Sequence, residues 1–181
     1  MMVHMKTSIT TYIALLRGVN VGGHNKLVMA ELRAHFESLG LRDVQTFIQS
    51  GNVIFTSADD IHSDALEAAI SSRFDIVTPV VLRTAPQFAT VARHHPFPGV
   101  DLARLHVGFL RQTPSAGDVA ALELDQFSPD RARVVNGDVY LYLPSGMARN
   151  KLSPYVDRRL KSAMTIRNWN TVTKLCALTS G

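Results

Sequence analysis

The chain has 181 residues, 46% of them hydrophobic and 19% charged, a globular balance that excludes a disordered polar segment. At this length roughly 70% of the unfolded surface can be buried without a disulfide or metal staple. Cys176 is the single cysteine, which excludes an intrachain disulfide and fits a reducing, cytoplasmic compartment. Net charge is +4, and it is unevenly spread. Residues 1–90 carry seven basic and eight acidic side chains, residues 91–181 twelve and seven. Such asymmetry marks either a polyanion-binding face or a solvated basic helix.

Residues 1–10 read as a flexible N-terminus without the apolar core of a signal peptide. No apolar run approaches the roughly 20 residues of a membrane span, so no membrane partner is expected. Residues 11–16 (TYIALL) form a strand that stops at Arg17-Gly18. Residues 28–39 carry apolar side chains at 29, 32, 36 and 39, a helical spacing closed by Gly40. Residues 44–49 and 53–57 read as a hairpin across Ser50-Gly51-Asn52. A helix over 64–74 is capped by Asp60 or Ser63. A strand over 79–83 and a short helix over 86–93 follow, ending in the proline-rich loop His94–Gly99.

The order then recurs. Residues 104–110 read as a strand and 115–126 as a helix. Residues 131–135 and 139–143 are strands joined by Asn136-Gly137-Asp138, a strong hairpin signal. A helix over 152–160 takes Pro154 in its first turn. A strand over 163–167 and a last helix over 171–178 complete the chain. The fold class is therefore α+β: two ferredoxin-like βαββαβ units, each with helices on one face of an antiparallel sheet. The first spans 11–95, the second 101–181 with a C-terminal helix, and the boundary falls near 96–101. In this topology the loop after the first strand lies beside the 50–52 turn. In the second unit, residues 144–151 lie beside the exit of the last strand, 167–170.

LLRGVNVGGHNK, QSGNVIF, HPF, LYLPSGMARNKL and TIRNWNTVTKL stand in an order and spacing that closely resemble domain-of-unknown-function family 1697, an uncharacterised bacterial family. The resemblance covers about Tyr12 to Leu178. It implies a small α+β protein with a ferredoxin-like N-terminal subdomain, and it implies no mechanism. Two positions depart from the family pattern: His24 stands where lysine is common and Asn150 where serine is common.

Gly18-x-x-x-x-Gly23 has the outer spacing of a phosphate-binding loop. His24 and Asn25 then occupy the positions where that motif needs lysine and a hydroxyl, so it fails as a nucleotide loop. Two readings stay open. Gly22 and Gly23 amides, flanked by Arg17, Asn20, Asn25 and Lys26, form an anion cradle; or the glycines supply positive φ and the asparagines bond the loop's own backbone. Ser50 and Asn52 read as hairpin-turn residues beside that loop; Ser50 lacks the strand–Ser–helix setting of a nucleophile elbow.

His94-His95 reads as a solvent-facing loop, and no metal motif supports it. His106 reads as a strand residue and Cys176 as packing on the buried side of the last helix. Arg149 and Lys151 lie in a glycine-containing loop, and Arg167, Asn168 and Asn170 surround Trp169, the only tryptophan. They suit a phosphate backbone or stacked base; alternatively Trp169 anchors the last helix and Asn168 caps it. No catalytic constellation or cofactor motif is recognisable. The favoured expectation is a non-catalytic module for an anionic ligand, either nucleic acid or a phosphorylated small molecule. A small-molecule enzyme and a structural or protein-interaction role are the alternatives.

Overall fold

The computed structural model describes residues 8–180; most of the expected flexible N-terminus, residues 1–7, lies outside the described residues. The described chain forms two compact units that divide between Gln87 and Phe88. Each holds one four-stranded antiparallel sheet.

The first unit runs β1 (Thr10–Leu16), α1 (Met29–Ser38), β2 (Arg42–Phe47), β3 (Asn52–Ser57), α2 (Ser63–Phe74) and β4 (Val80–Thr84). Its strand order is β2-β3-β1-β4. The βαββαβ expectation from period-2 and period-3.6 patterning describes this unit. Strand alternation sends Tyr12, Ala14 and Leu16 to one face of the sheet, where they pack with Leu32 and Phe36 of α1 and Leu66 and Ile70 of α2. Phe55 ties the layers together, stacked on Tyr12 at 5.5 Å and edge-on to Phe36 at 5.7 Å. Each fully buried side chain of this kind contributes roughly 1.5–3 kcal/mol. Leu39, the last apolar residue of the α1 pattern, is exposed. α2 starts after His62 with no side-chain cap, so neither Asp60 nor Ser63 caps it as expected; Ser63 is already the first helical residue.

A short helix, α3 (Ala85–Arg93), spans the division. Its later half belongs to the second unit, where Phe88 stacks on Phe109 at 5.2 Å and the Tyr140 hydroxyl donates to the Val91 carbonyl at 2.9 Å. That unit continues with β5 (Leu105–Leu110), α4 (Ala116–Ala120), β6 (Arg131–Val135), β7 (Asp138–Tyr142), α5 (Leu152–Leu160), β8 (Met164–Asn168) and α6 (Trp169–Thr179). Its strand order, β6-β7-β5-β8, repeats that of the first sheet.

Asn136 and Gly137 take φ of +52° and +86° and close the β6–β7 hairpin at Val135↔Asp138, as a two-residue type I′ turn requires. Leu110, Val139, Leu141 and Met164 pack on Leu152, Val156 and Leu160 of α5. Phe109, adjacent to Leu110 and so on the opposite face, meets Phe88.

The expected helix over 115–126 is far shorter. α4 ends at Ala120, capped at its start by Ser115 Oγ, which accepts from Asp118 N at 3.0 Å. The remaining chain turns so that Leu122, Leu124 and Phe127 all reach the core, which one straight helix could not do with that spacing. Among the described residues no helix is long and apolar enough to cross a membrane.

Candidate functional site

The opening loop leaves β1 under firm backbone control. Leu16 N donates to Gly51 O at 2.8 Å, Arg17 N to Pro79 O at 3.0 Å, and Thr78 Oγ1 to Arg17 O at 2.7 Å. Asn20 follows in the left-handed region at φ +55°. Its Oδ1 accepts from Leu27 N, and its Nδ2 donates to Leu27 O and Gln49 O, all at 2.8 Å. The carboxamide thus behaves as a short piece of strand backbone, and it uses three of its four hydrogen-bonding positions. Asn20 N adds a bond to Asn25 O at 3.1 Å, and Asn25 Nδ2 donates to Gly18 O at 3.3 Å.

Gly22 and Gly23 have φ of +59° and +78°, and His24 N donates to Val21 O at 3.1 Å. Two successive positive φ values inside such a bond define a type I′ turn. An amide nest instead alternates the hand of successive residues. The turn therefore accounts for both glycines. Lys26 and His24 are exposed and Arg17 is half-buried.

Asn20 and Gln49 join this loop to the β2–β3 turn, as the topology requires. In that turn Asn52 is fully buried, with Nδ2 donating to Phe47 O and Ser50 Oγ, both at 3.0 Å. Gly51 has φ +74°, and a Cβ there would stand 2.5 Å from Val19 Cγ2 and 2.8 Å from Leu16 Cβ. The turn is thus built around a glycine that both conformation and space demand.

In the second unit, register brings the other candidates together. Leu105 pairs with Tyr142 and His106 with Asn168, so residues 144–151 and the β8–α6 junction flank the entry of β5. Arg149, Lys151 and Asn170 are exposed there. Asn168 Oδ1 accepts from Thr171 N at 2.8 Å and caps α6. Asn150 Oδ1 accepts from Ser153 N at 2.8 Å, and Asn150 Nδ2 donates to Met147 O at 2.6 Å. These bonds tie the loop before α5 to the first turn of the helix.

Arg167 is not a surface cation. It is 7% exposed, and Nη1 donates to Thr165 Oγ1 at 2.7 Å and Ile166 O at 2.9 Å. Burial pushes its pKa down to about 10, so it keeps its charge at neutral pH. Trp169 is buried at the start of α6, where His95 meets it edge-on at 5.2 Å. His95 is therefore a packing partner, and only His94 faces solvent as the loop reading expected. Cys176 is half-buried, four residues after the buried Val172 and so on the same side of α6. His106 is held below its usual pKa, chiefly by burial. Among the described residues no group of three or more His, Cys, Asp or Glu side chains could hold a metal.

Three arginines escaped the sequence reading. Arg104 is exposed at the start of β5, its Nη1 3.4 Å from where a Gly146 Cβ would lie. Arg131 and Arg133 stand two apart on β6, a spacing that puts both on one face of the sheet; that alternation was the available signal.

The repeated sheet order and the two asparagine-stapled ends can be compared with known proteins. The solved structure of the conserved bacterial protein SP0830 from Streptococcus pneumoniae is similar, with a TM-score of 0.75 and 27% sequence identity over 96% of this chain and 100% of that one. No curated protein matches the chain. The family model described as "Protein of unknown function (DUF1697)" matches residues 9–140, across the first unit and into the second as far as β7. By that match the chain belongs to the DUF1697 family, whose function is unknown.

Proposed function

We propose that the protein is a non-catalytic module that binds an anionic ligand, nucleic acid or a phosphorylated small molecule, through its second unit. One observation carries this reading. The register of β5 with β7 and β8 gathers exposed Arg104, Arg149 and Lys151 at one end of the sheet, in the half of the chain that holds twelve of the nineteen basic residues. Asn170 adds an exposed amide there. Oriented cations of this kind attract phosphate oxygens, and their affinity is salt-dependent.

The test is fluorescence anisotropy with a labelled single-stranded oligonucleotide across a salt series. Affinity falls steeply with salt, and Arg104→Glu, Arg149→Glu and Lys151→Glu together weaken it. Unchanged affinity in that triple variant rejects this surface.

For the opening loop a structural role is the better-supported reading. The Asn20 carboxamide is committed to Leu27 and Gln49, and the type I′ turn closed by His24 N accounts for the positive φ of Gly22 and Gly23. Arg17 and Lys26 remain as cations that a ligand at that end would meet.

A further inference from the structure

A groove runs beside β6 in the second unit, with a volume of about 490 Å³, inside the range of small-molecule sites. Phe97 from the proline-rich loop, Arg131 and Arg133 of β6, and Leu124, Asp125 and Ser128 from the segment before β6 line it. β6 is an edge strand, so its far side has no neighbouring strand within the sheet.

The two arginines are held in an unusual way. The Arg131 guanidinium lies 5.2 Å from the Phe97 ring centre and 4.9 Å from that of Tyr142. The Arg133 guanidinium lies 5.9 Å from Phe97. Both side chains are exposed. Among the described residues neither guanidinium has a carboxylate or carbonyl partner. Aromatic faces hold the planar groups in place and leave their N–H edges unspent. Residues two apart on a strand are roughly 7 Å apart, so the two forks can converge on one tetrahedral dianion.

Two carboxylates share the groove, and they decide what else the ligand carries. Asp130 is buried, and its Oδ1 accepts from Ser145 N at 3.1 Å, so it serves the fold. Asp125 is exposed and lines the same groove. A carboxylate there repels a bare anion and accepts hydrogen bonds from hydroxyl groups. Ser128 adds a hydroxyl beside it.

We propose that this groove binds a phosphate monoester bearing hydroxyl groups, a sugar phosphate or a mononucleotide. The phosphate sits between Arg131 and Arg133, and the hydroxyls face Asp125. The proposal rests on the anionic-ligand reading above and narrows it to a small molecule, but it uses different residues from Arg104, Arg149 and Lys151.

The test is an NMR titration of the isotope-labelled full chain with ribose 5-phosphate, adenosine 5′-monophosphate, ribose and inorganic phosphate. Saturable shifts of the Phe97 and Arg131–Arg133 amides with either ester, and none with ribose, are the expected result. The tighter ester tells sugar phosphate from mononucleotide. Arg131→Gln and Arg133→Gln each weaken the ester about tenfold or more, the scale of one lost charge-assisted contact. Arg149→Glu with Lys151→Glu leaves it unchanged. Binding of inorganic phosphate as tightly as the esters overturns the proposal, and so does the absence of shifts at these amides. Shifts confined to residues 144–151 overturn the groove while leaving the basic end of the sheet standing as a binding surface.

Discussion

The Asn20 carboxamide donates to the carbonyl of Gln49 at 2.8 Å across 29 residues of sequence, while the same side chain pairs with both backbone groups of Leu27. One side chain therefore closes the opening loop on itself and fastens it to the neighbouring hairpin. Asn20→Ala removes three hydrogen bonds at a part-buried site. At about 1 kcal/mol net for each, the variant loses about 2–4 kcal/mol of stability by urea denaturation. Asn20→Asp keeps the bond from Leu27 N but sets a carboxylate oxygen against the Leu27 and Gln49 carbonyls, so at neutral pH it is at least as destabilising as Ala. Equal stability of all three chains counts against the staple.

The hairpin beneath makes a sharper demand. Gly51→Ala meets both the positive φ and a Cβ at 2.5 Å from Val19 and 2.8 Å from Leu16. Conformation alone costs about 1–2 kcal/mol, and overpacking adds about 1–3 kcal/mol. Gly23→Ala has a similar φ of +78° but open space around its Cβ, so it incurs only the first cost. Thermal melts of the two variants separate the effects: Gly51→Ala melts clearly lower. If the two melt together, the close approach is relieved by local movement.

The strands and most helices were legible because their signals are local. Alternation in TYIALL, the Asn136-Gly137 turn and the 29, 32, 36 spacing of α1 each act within a few residues, and the observed bounds follow them closely. The bonds of Asn20 to Leu27 match the reading in which asparagines bond the loop's own backbone; its bond to Gln49 was not legible, because that residue is supplied by another element. The second half of the 115–126 pattern was misread for a related reason: Leu122, Leu124 and Phe127 follow the core surface, not a helix period. Arg167 looked like a member of a basic cluster, yet its position on β8 turns it inward. A strand pattern tells which residues share a face; it does not tell which face will be covered.

Arg167 therefore separates folding from binding. Arg167→Ala strips a buried charge from its Thr165 and Ile166 partners and opens a void. Leaving buried polar groups without their donor costs about 1–3 kcal/mol, and the void adds to that loss. Arg149→Ala and Lys151→Ala, at exposed positions, stay within about 0.5 kcal/mol of the natural chain. Calorimetry of the three variants checks this ranking. A melting loss at Arg149 or Lys151 equal to that at Arg167 would contradict the burial of Arg167.

Tyr140 gives the alkaline limb of the stability profile a specific sign. Its hydroxyl donates to Val91 O at 2.9 Å, and burial, with the nearby Asp138 charge, pushes its pKa up to about 12. An unfolded tyrosine titrates near 10, so between about pH 10 and 12 the unfolded chain has lost this proton and the folded chain still holds it. Stability then falls as pH rises through that window, and the contribution is fully present below it. Arg167 acts in the opposite direction over an overlapping window. Its folded pKa of about 10 lies well below the ordinary guanidinium value, so above about pH 10 the unfolded chain binds the extra proton and stability rises with pH. Tyr140→Phe removes the unfavourable component alone. Relative to the natural chain, the variant is less stable at neutral pH by the lost bond to Val91, about 1 kcal/mol, and its urea midpoint declines less steeply from pH 10 to pH 12. Parallel declines in the two chains would show that Tyr140 ionises in the folded state as readily as in the unfolded one.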